Sequence, residues 1–491
     1  MKIFNTIVYT LISLVIFALL FLAISYQNDF SNGFKINDKF SAYFVGGLLV
    51  LILLLGIIFV KVSTQKKDFI SKEIKDFDID FEEEEHSENT VASNYTPINN
   101  ANNPVNTNLL ADATEFTKKE ETEEENLIEE TDESRFYMLT QIDRQMAEYV
   151  APKYNNKITL EELCNEFRNF SCSRLKLYYD ITDIRRFIAG LSVTKILILQ
   201  GMSGTGKTSL AYAFGEFLKN KTVVVPIQPM WKERTDLIGY YNEFTRKFNE
   251  TTLLYKMYEA NWNKEIYITV LDEMNIARIE YYFAEFLSLL ELPNPEGRNL
   301  DVVSDVWSTD PKLLKDGKLR LPINMWFIGT ANNDDSTFSI SDKVYDRAMV
   351  LNLDKKADVF EAEYTEGEKI SIDHLQNLFA KAQKEYDLSD RNLRRIEKLD
   401  KYLIKTFHIT FGNRIMKQIR AYIPVLVACG GTEVEGLDDI LSRKVLRKLE
   451  SKNPVYVKSQ SEALINYLDE LFGVDKMPLC KELIHNIEQN A

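Results

Sequence analysis

The stretch "LILQGMSGTGKTSLAY", residues 197 to 212, joins an apolar run to a glycine-rich turn and then to an apolar helical pattern. The unbroken apolar run before Gln200 is typical of a buried parallel strand. Residues 201 to 208 read G-x-x-x-x-G-K-T, a spacing that lets backbone N–H groups turn inward around phosphate groups at the start of a helix. The stretch therefore predicts a phosphate-binding loop on an α/β sheet.

The residues of this loop differ in their predicted roles. The positions predicted to bind the nucleotide are Gly201, Ser203, Gly204, Thr205, Gly206, Lys207 and Thr208. Lys207 would contact the β- and γ-phosphates, and Thr208 would hold Mg²⁺. The loop alone does not distinguish a kinase from a GTPase or a motor.

A second buried strand ends in two adjacent carboxylates. It lies in "EIYITVLDEMNIAR", residues 265 to 278, where Asp272 and Glu273 follow the apolar run. Asp272 at the strand end suits the ligand shell of Mg²⁺, and Glu273 suits polarisation of an attacking water. This pair, some sixty residues after the loop, predicts a hydrolytic NTPase rather than a small-molecule kinase.

Two further segments carry candidate catalytic residues. The strand in "NMWFIGTANNDD", residues 324 to 335, ends near Asn332, whose amide could sense the γ-phosphate. The segment "ISDKVYDRAMVLNL", residues 340 to 353, presents Arg347 on a short helix. An arginine there could reach the phosphate of a neighbouring subunit and stabilise developing charge.

Residues 180 to 450 resemble AAA+ ATPases of the dynein-related subgroup, which includes MoxR-like and McrB-like proteins. The resemblance rests on "GMSGTGKT", "LDEMNIARIEYYFAEFLSLLE", "FIGTANNDD" and "DKVYDRA". It implies a P-loop NTPase core with a parallel sheet, a C-terminal helical lid, and a homo-oligomeric ring, usually hexameric, with ATP between subunits. By matching positions, Lys207 and Thr208 are the Walker A pair, and Asp272 and Glu273 are the Walker B pair. Asn332 is then sensor 1 and Arg347 the arginine finger.

The resemblance also suggests a lid arginine and substrate-contacting loops. Arg414, in "TFHITFGNRIMKQIRAYIPVLVACGG", is the candidate for sensor 2, a residue folded back over the nucleotide, and Arg420 on the same helix could replace it. Residues 294 to 322 suggest a hairpin insertion. Either its tip or the aromatic loop "PMWKERTDLIGYY", residues 229 to 241, could face a central pore.

The choice of nucleotide follows from two short elements. McrB relatives use GTP and carry Met-Asn-x-x-Asp at the sensor 1 position, where this chain has Ala331 before Asn332. A guanine-reading Asn-Lys-x-Asp element does not occur in the sequence. We therefore predict ATP with Mg²⁺ as the ligands.

The N-terminal region predicts a membrane anchor. Residues 6–24 and 41–60 are apolar runs of about 20 residues, long enough to span a bilayer. A cleaved signal peptide would also account for the first run, and a buried helical hairpin would account for both runs. Lys2 and Lys61 flank the two runs, so we expect both termini in the cytoplasm and the protein in the cell membrane.

Composition limits the possible partners. The net charge is −15, so nucleic acid would need a locally basic groove, and the four scattered cysteines indicate neither a zinc site nor a disulfide framework. The predicted segments are a transmembrane hairpin (1–65), an acidic disordered linker (66–135), a helical extension (136–185), the ATPase core (186–355) and a helical lid with tail (356–491). The helical sequence after Gly430 indicates only packing.

These features predict a membrane-anchored AAA+ ATPase that remodels or translocates a macromolecule, with protein as the favoured client. One alternative is a McrB-like motor that acts on nucleic acid with a separate nuclease. Another is a nucleotide-switched membrane scaffold with little turnover. The presence of Glu273 favours turnover over the scaffold.

Overall fold

The computed structural model describes residues 134–332 and 337–489. The first part of this region contains α1 (Met138–Ala147), α2 (Leu160–Leu175), α3 (Ile181–Val193), β1 (Ile196–Gly201), α4 (Lys207–Phe217), β2 (Val223–Pro226), α5 (Thr235–Ile238), β3 (Gly239–Asn242), β4 (Lys247–Glu250), α6 (Thr252–Ala260), β5 (Tyr267–Asp272), α7 (Ile279–Tyr282) and α8 (Ala284–Glu291). The second part contains β6 (Asn299–Asp301), β7 (Lys318–Arg320), β8 (Met325–Asn332), α9 (Asp342–Tyr345), β9 (Met349–Asn352), α10 (Ile372–Glu385), α11 (Asp390–Phe407), α12 (Gly412–Ala428), α13 (Glu433–Lys444), α14 (Pro454–Phe472) and α15 (Pro478–Gln489).

A five-stranded parallel sheet with the order β2-β5-β8-β1-β9 forms the centre of the region that contains the phosphate-binding loop. The central strands are buried over nearly their whole length, as their apolar sequences predict. Because the strands are parallel, the loops that follow β1, β5 and β8 all emerge at one edge of the sheet. This arrangement confirms the predicted α/β core and brings three separate sequence motifs together.

Two antiparallel hairpins project from this core. One pairs β3 with β4, and the other pairs β6 with β7 within the segment 294–322 where the sequence suggests a hairpin insertion. A carboxylate anchors the start of α1 beside the first hairpin: the Glu250 side chain accepts hydrogen bonds from the backbone N–H groups of Tyr137, Met138 and Leu139, each at 2.8 Å. These bonds satisfy donors at the start of α1.

Helices that precede the parallel sheet in the chain and helices that follow it share one apolar core. Residues from α2 and α3 form a single buried cluster with residues from α10 to α15 and with one face of the sheet. Thr159 and Thr432 begin α2 and α13 with complete capping boxes, so both helices start where their sequences specify. The predicted C-terminal helical region is present, and it packs against the N-terminal helices.

An irregular segment connects β9 to α10. Its Glu368 N–H donates to the carbonyl of Phe217 at the end of α4, at 2.6 Å, and its Lys369 carbonyl accepts the N–H of Asn155, at 2.7 Å. A side chain at Gly367 would put its Cβ 2.5 Å from the Phe217 carbonyl oxygen, so only glycine allows this close approach. The segment thus carries the chain across α4 to the C-terminal helices.

The predicted cell-membrane localisation is wrong for the helices that can be assessed. Within residues 134–332 and 337–489, no helix combines the length and apolar character that a bilayer span requires. The predicted spans 6–24 and 41–60, and nearly all of the predicted linker 66–135, lie outside the described residues.

Candidate active site

The phosphate-binding loop forms a tight turn between β1 and α4. Gly204 and Gly206 have positive φ angles of 78° and 86°, which glycine adopts without strain. Lys207 is buried at the start of α4, and its amine donates to the carbonyls of Gly201 at 3.1 Å and Met202 at 2.6 Å. Ser203 and Gly204 are exposed, and Thr205 and Thr208 are half-buried. The predicted loop residues therefore line one accessible concave turn at a helix N-terminus.

Tyr179 supports this loop from the segment before α3. Its hydroxyl donates to the Gly206 carbonyl at 3.1 Å, and burial raises the pKa of this tyrosine, so the hydroxyl keeps its proton. A Cβ at Gly206 would lie 3.3 Å from the tyrosine oxygen. The sequence analysis did not identify Tyr179, because a single tyrosine about thirty residues upstream carries no motif.

Asp272 lies between two threonine hydroxyls. The hydroxyl of Thr208 donates to Asp272 Oδ1 at 2.8 Å, and the hydroxyl of Thr330 on β8 donates to the same oxygen at 2.7 Å. A hydroxyl and a carboxylate in contact are the protein ligands that P-loop enzymes offer to Mg²⁺. Among the described residues, no group of three or more His, Cys, Asp and Glu side chains could hold a metal alone. A Mg²⁺ ion fits here if phosphate and water supply its other oxygen ligands.

Glu273 is held in a strained backbone conformation beside Asp272. Its φ and ψ are 51° and 45°, in the left-handed region that costs a non-glycine residue free energy. The Glu273 N–H donates to Thr330 Oγ1 at 2.8 Å, and its side chain is exposed. Thr330 therefore bridges the two carboxylate residues, and it was missed in the sequence because it is one polar residue within an apolar strand.

Asn332 ends β8 at the same edge of the sheet. In the parallel register it is the partner of Gly201, so it lies directly beside the first residue of the loop. Its carbonyl accepts a hydrogen bond from the Asn275 side chain at 2.9 Å, and the same amide donates to Thr337 at 3.0 Å. Asn275 thus links Asn332 to Thr337. A cavity of about 790 Å³ opens beside Asn332 and is also lined by Gln200 and Asn275.

Arg347 and Arg414 lie together, away from the loop. Arg347 Nε is 2.7 Å from one carboxylate oxygen of Glu291, and Arg414 Nη2 is 2.8 Å from the other. Arg414 is half exposed, and both arginines share this one carboxylate at the end of α8. This placement does not match a sensor 2 residue folded over the nucleotide of its own chain. The sequence analysis also missed Glu291, which brings the two arginines together.

The sheet register fixes how far this arginine pair lies from the loop. Met349, two residues after Arg347, pairs with Leu197, which is four residues before Gly201. The arginine thus lies near the amino edge of the sheet, and Gly201 lies at the carboxyl edge. Arg347 lies in the turn before β9, and its carbonyl accepts the hydroxyl of Thr194, seven residues before Gly201. At about 3.3 Å per extended residue, the two levels are roughly 20 Å apart. Arg347 therefore cannot contact a phosphate on its own loop.

Comparison with known proteins gives the family of this site. Residues 196 to 348 match the AAA domain of the dynein-related subfamily. Residues 196 to 348 are an AAA domain. This confirms the predicted AAA+ ATPase, so the module is an ATP hydrolase. Residues 366 to 491 match a domain of unknown function, DUF8727.

Two individual proteins are similar to this chain. The type IV methyl-directed restriction enzyme EcoKMcrB subunit of Escherichia coli K12 is 25% identical over 173 residues, which make up 34% of this chain and 36% of that subunit. The chain therefore spans little more than a third of this relative. The crystal structure of a candidate ATPase from Cytophaga hutchinsonii superposes with a TM-score of 0.41 at 12% identity, covering 67% of this chain and 95% of that one.

The aromatic residues near the AAA domain divide into packing and exposed groups. Trp231 packs edge-to-face on Tyr282, and Tyr241 packs edge-to-face on Trp307, and both residues are partly buried. Phe244, at the turn between β3 and β4, is fully exposed. Within the stretch singled out in the sequence, Tyr240 is about half exposed, so exposed aromatic side chains lie both on β3 and at the hairpin turn.

Proposed function

We propose that the chain hydrolyses ATP in a ring of identical subunits and uses the energy to remodel or translocate a macromolecular client, with protein as the favoured client. The separation of Arg347 from the loop of its own chain carries this proposal. The site at the carboxyl edge has the phosphate loop and both carboxylates, whereas the arginine lies about 20 Å away at the other edge. A neighbouring copy that presents its arginine would complete the site.

Each candidate residue at the carboxyl edge of the sheet has a role in ATP hydrolysis. Lys207 and the loop N–H groups bind the β- and γ-phosphates, and Thr208 with Asp272 holds Mg²⁺. Mg²⁺, when bound, supplies positive charge against the phosphate oxygens. Glu273 orients and polarises the attacking water, and Asn332 lies close enough to Gly201 to contact the γ-phosphate. Arg347 of the neighbouring copy offsets charge that develops during phosphoryl transfer.

A mixing experiment tests the shared site. Glu273→Gln keeps the finger but disables the site of its own chain, whereas Arg347→Ala keeps the site but lacks the finger. Each variant alone should hydrolyse ATP at a small fraction of the wild-type rate. An equimolar mixture should recover activity, since rings then contain competent sites between the two kinds of subunit. A mixture no more active than its components would refute the shared site.

The hairpin β3–β4 supports a protein client. Phe244 is fully exposed at its turn and Tyr240 is about half exposed on its first strand. Exposed aromatic side chains can bind the varied side chains of an unfolded polypeptide because the contact buries apolar surface. The net charge of −15 also gives no general attraction to nucleic acid. Addition of an unfolded protein should therefore raise the ATPase rate, and Phe244→Ala should remove that stimulation without changing the basal rate.

Similarity to the Escherichia coli restriction subunit favours a second candidate, a motor that acts on nucleic acid. Arg246 and Lys247 adjoin Phe244 and could contact phosphates. Stimulation by DNA but not by unfolded protein, or a preference for GTP over ATP, would select this candidate. Hydrolysis should be measured with both nucleotides and both polymers, with Glu273→Gln as the inactive control.

A further inference from the structure

The C-terminal helical region contacts the AAA domain at the element that carries Arg347. This element, here called the finger turn (342–348), consists of α9 and the three residues after it. A helix of one turn has few internal hydrogen bonds, so most of its carbonyl groups need partners from elsewhere. Several partners of the finger turn come from α12, from α13 and from the residues just after α13.

Lys444, the last residue of α13, is buried against the finger turn. Its amine donates to the carbonyl oxygens of Tyr345 and Ala348, and its side chain is almost inaccessible to solvent. Those two carbonyls flank Arg347 on either side in the chain. A buried carbonyl without a partner costs about 1–3 kcal/mol, so this pair of bonds constrains the backbone on both sides of the arginine.

Three other side chains from the same region contact the finger turn. Arg447 pairs with Asp342 and places its guanidinium 3.8 Å from the ring centre of Tyr345. Gln418 on α12 donates to the Asp346 carbonyl at 3.0 Å, and Lys448 lies 3.8 Å from the Asp346 carboxylate. Just before β1, the hydroxyl of Thr194 donates to the carbonyl of Arg347 itself, at 3.1 Å. The C-terminal region thus holds the residues on both sides of Arg347.

We propose that Lys444 is a positioning residue for the arginine finger, so that the C-terminal region of one subunit controls ATP hydrolysis in the neighbouring subunit. This inference rests on the proposed shared site. The Lys444 amine bonds the backbone of the finger turn. It fixes the carbonyls of Tyr345 and Ala348, and thereby the direction in which the side chain of Arg347 extends from the backbone.

The test uses the full-length chain with Lys444→Met, which keeps the length of the side chain and removes its donor. Alone, this variant should lose at least tenfold in ATP hydrolysis while its binding of a fluorescent ATP analogue stays within twofold of wild type. Mixed with Glu273→Gln, it should regain activity, because its intact site receives the correctly placed finger of the other subunit. Mixed with Arg347→Ala, it should stay inactive, because both subunits then lack a working finger.

The controls separate this inference from the proposed function. Lys458→Met alters an exposed lysine of α14 and should leave hydrolysis unchanged. If Arg347→Ala and Glu273→Gln fail to complement each other, the shared site and this inference both fall. If they complement but Lys444→Met is not rescued by Glu273→Gln, or hydrolyses at the wild-type rate, only the positioning role falls.

A second variant decides the matter if Lys444→Met does not fold. Arg447→Gln removes the charge that contacts Tyr345 and Asp342, and its side chain is partly exposed, so folding should tolerate the change. The same mixtures apply to it. Rescue by Glu273→Gln and not by Arg347→Ala supports control of the finger by the C-terminal region, and any other pattern overturns it.

Discussion

Thr330→Val removes one hydroxyl and keeps the shape of the side chain. In the structure this hydroxyl accepts the N–H of Glu273 at 2.8 Å and donates to Asp272 at 2.7 Å. Thr330 is 3% exposed, so water cannot easily replace it. The substitution therefore perturbs both carboxylate residues without touching either of them.

The structure sets the expected size of the effect. Leaving a buried N–H unpaired costs about 1–3 kcal/mol, and holding Glu273 in the left-handed region costs a similar amount. Without the Thr330 oxygen the backbone can relax and carry the Glu273 carboxylate away from the water that it orients. A loss of about 1.4–3 kcal/mol in transition-state stabilisation lowers kcat roughly 10- to 100-fold. The KM for ATP should change little, because the loop residues are untouched.

A matched control exists on the adjacent strand. Thr269 of β5 is fully buried, and its hydroxyl has no hydrogen-bond partner among the described residues, so Thr269→Val should be neutral or stabilising. Steady-state ATP hydrolysis and urea unfolding should be measured for both variants. The reasoning is refuted if Thr330→Val hydrolyses ATP at the wild-type rate, or if Thr269→Val loses activity to the same extent.

Three other predictions concern stability and are checked by urea unfolding. Gly329→Ala should destabilise the fold by about 1–3 kcal/mol, because its Cβ would lie 1.9 Å from the sulfur of Met274; an unchanged midpoint would contradict this packing. Tyr422→Phe should cost about 1–2 kcal/mol, since its buried hydroxyl donates to Asp439 at 2.6 Å, and a stabilised variant would argue against that bond. Burial lowers the pKa of Lys444 to about 7, below its unfolded value of about 10.4, so the unfolded chain binds more protons between these values. The free energy of unfolding should therefore rise with pH from about 7 to about 10 more steeply in wild type than in Lys444→Met, and equal slopes would contradict the shift.

Contiguous motifs were the part of the site that the sequence could predict. Gly201 to Thr208 and Asp272-Glu273 each lie within one strand and its following turn, so local spacing is enough to identify them. Their convergence then follows from parallel strand order, because strand ends of a parallel sheet share an edge. The same logic placed Asn332 beside the loop, and the register agrees.

Residues that act across long sequence distances could not be predicted. Thr330 contacts Glu273 from 57 residues away, and Lys444 contacts the Ala348 carbonyl from 96 residues away. Neither position has a local pattern that differs from ordinary strand or helix packing, and Lys444 lies in sequence that indicates only packing. The position of Arg414 illustrates the same limit: the family resemblance predicted its helix, but the edge of the sheet that the helix approaches depends on tertiary packing.

The core shared by α2, α3 and the C-terminal helices has a mechanical consequence. In the chain, the AAA domain is inserted between two parts of a single helical unit, since α3 precedes β1 and α10 follows β9. Only Thr194 and Lys195 separate α3 from β1, the strand that ends in the phosphate loop. A tilt of the C-terminal helices would therefore move α3, and through it the strand that carries Lys207. Movement of the helical unit is therefore coupled directly to the position of the phosphate-binding loop.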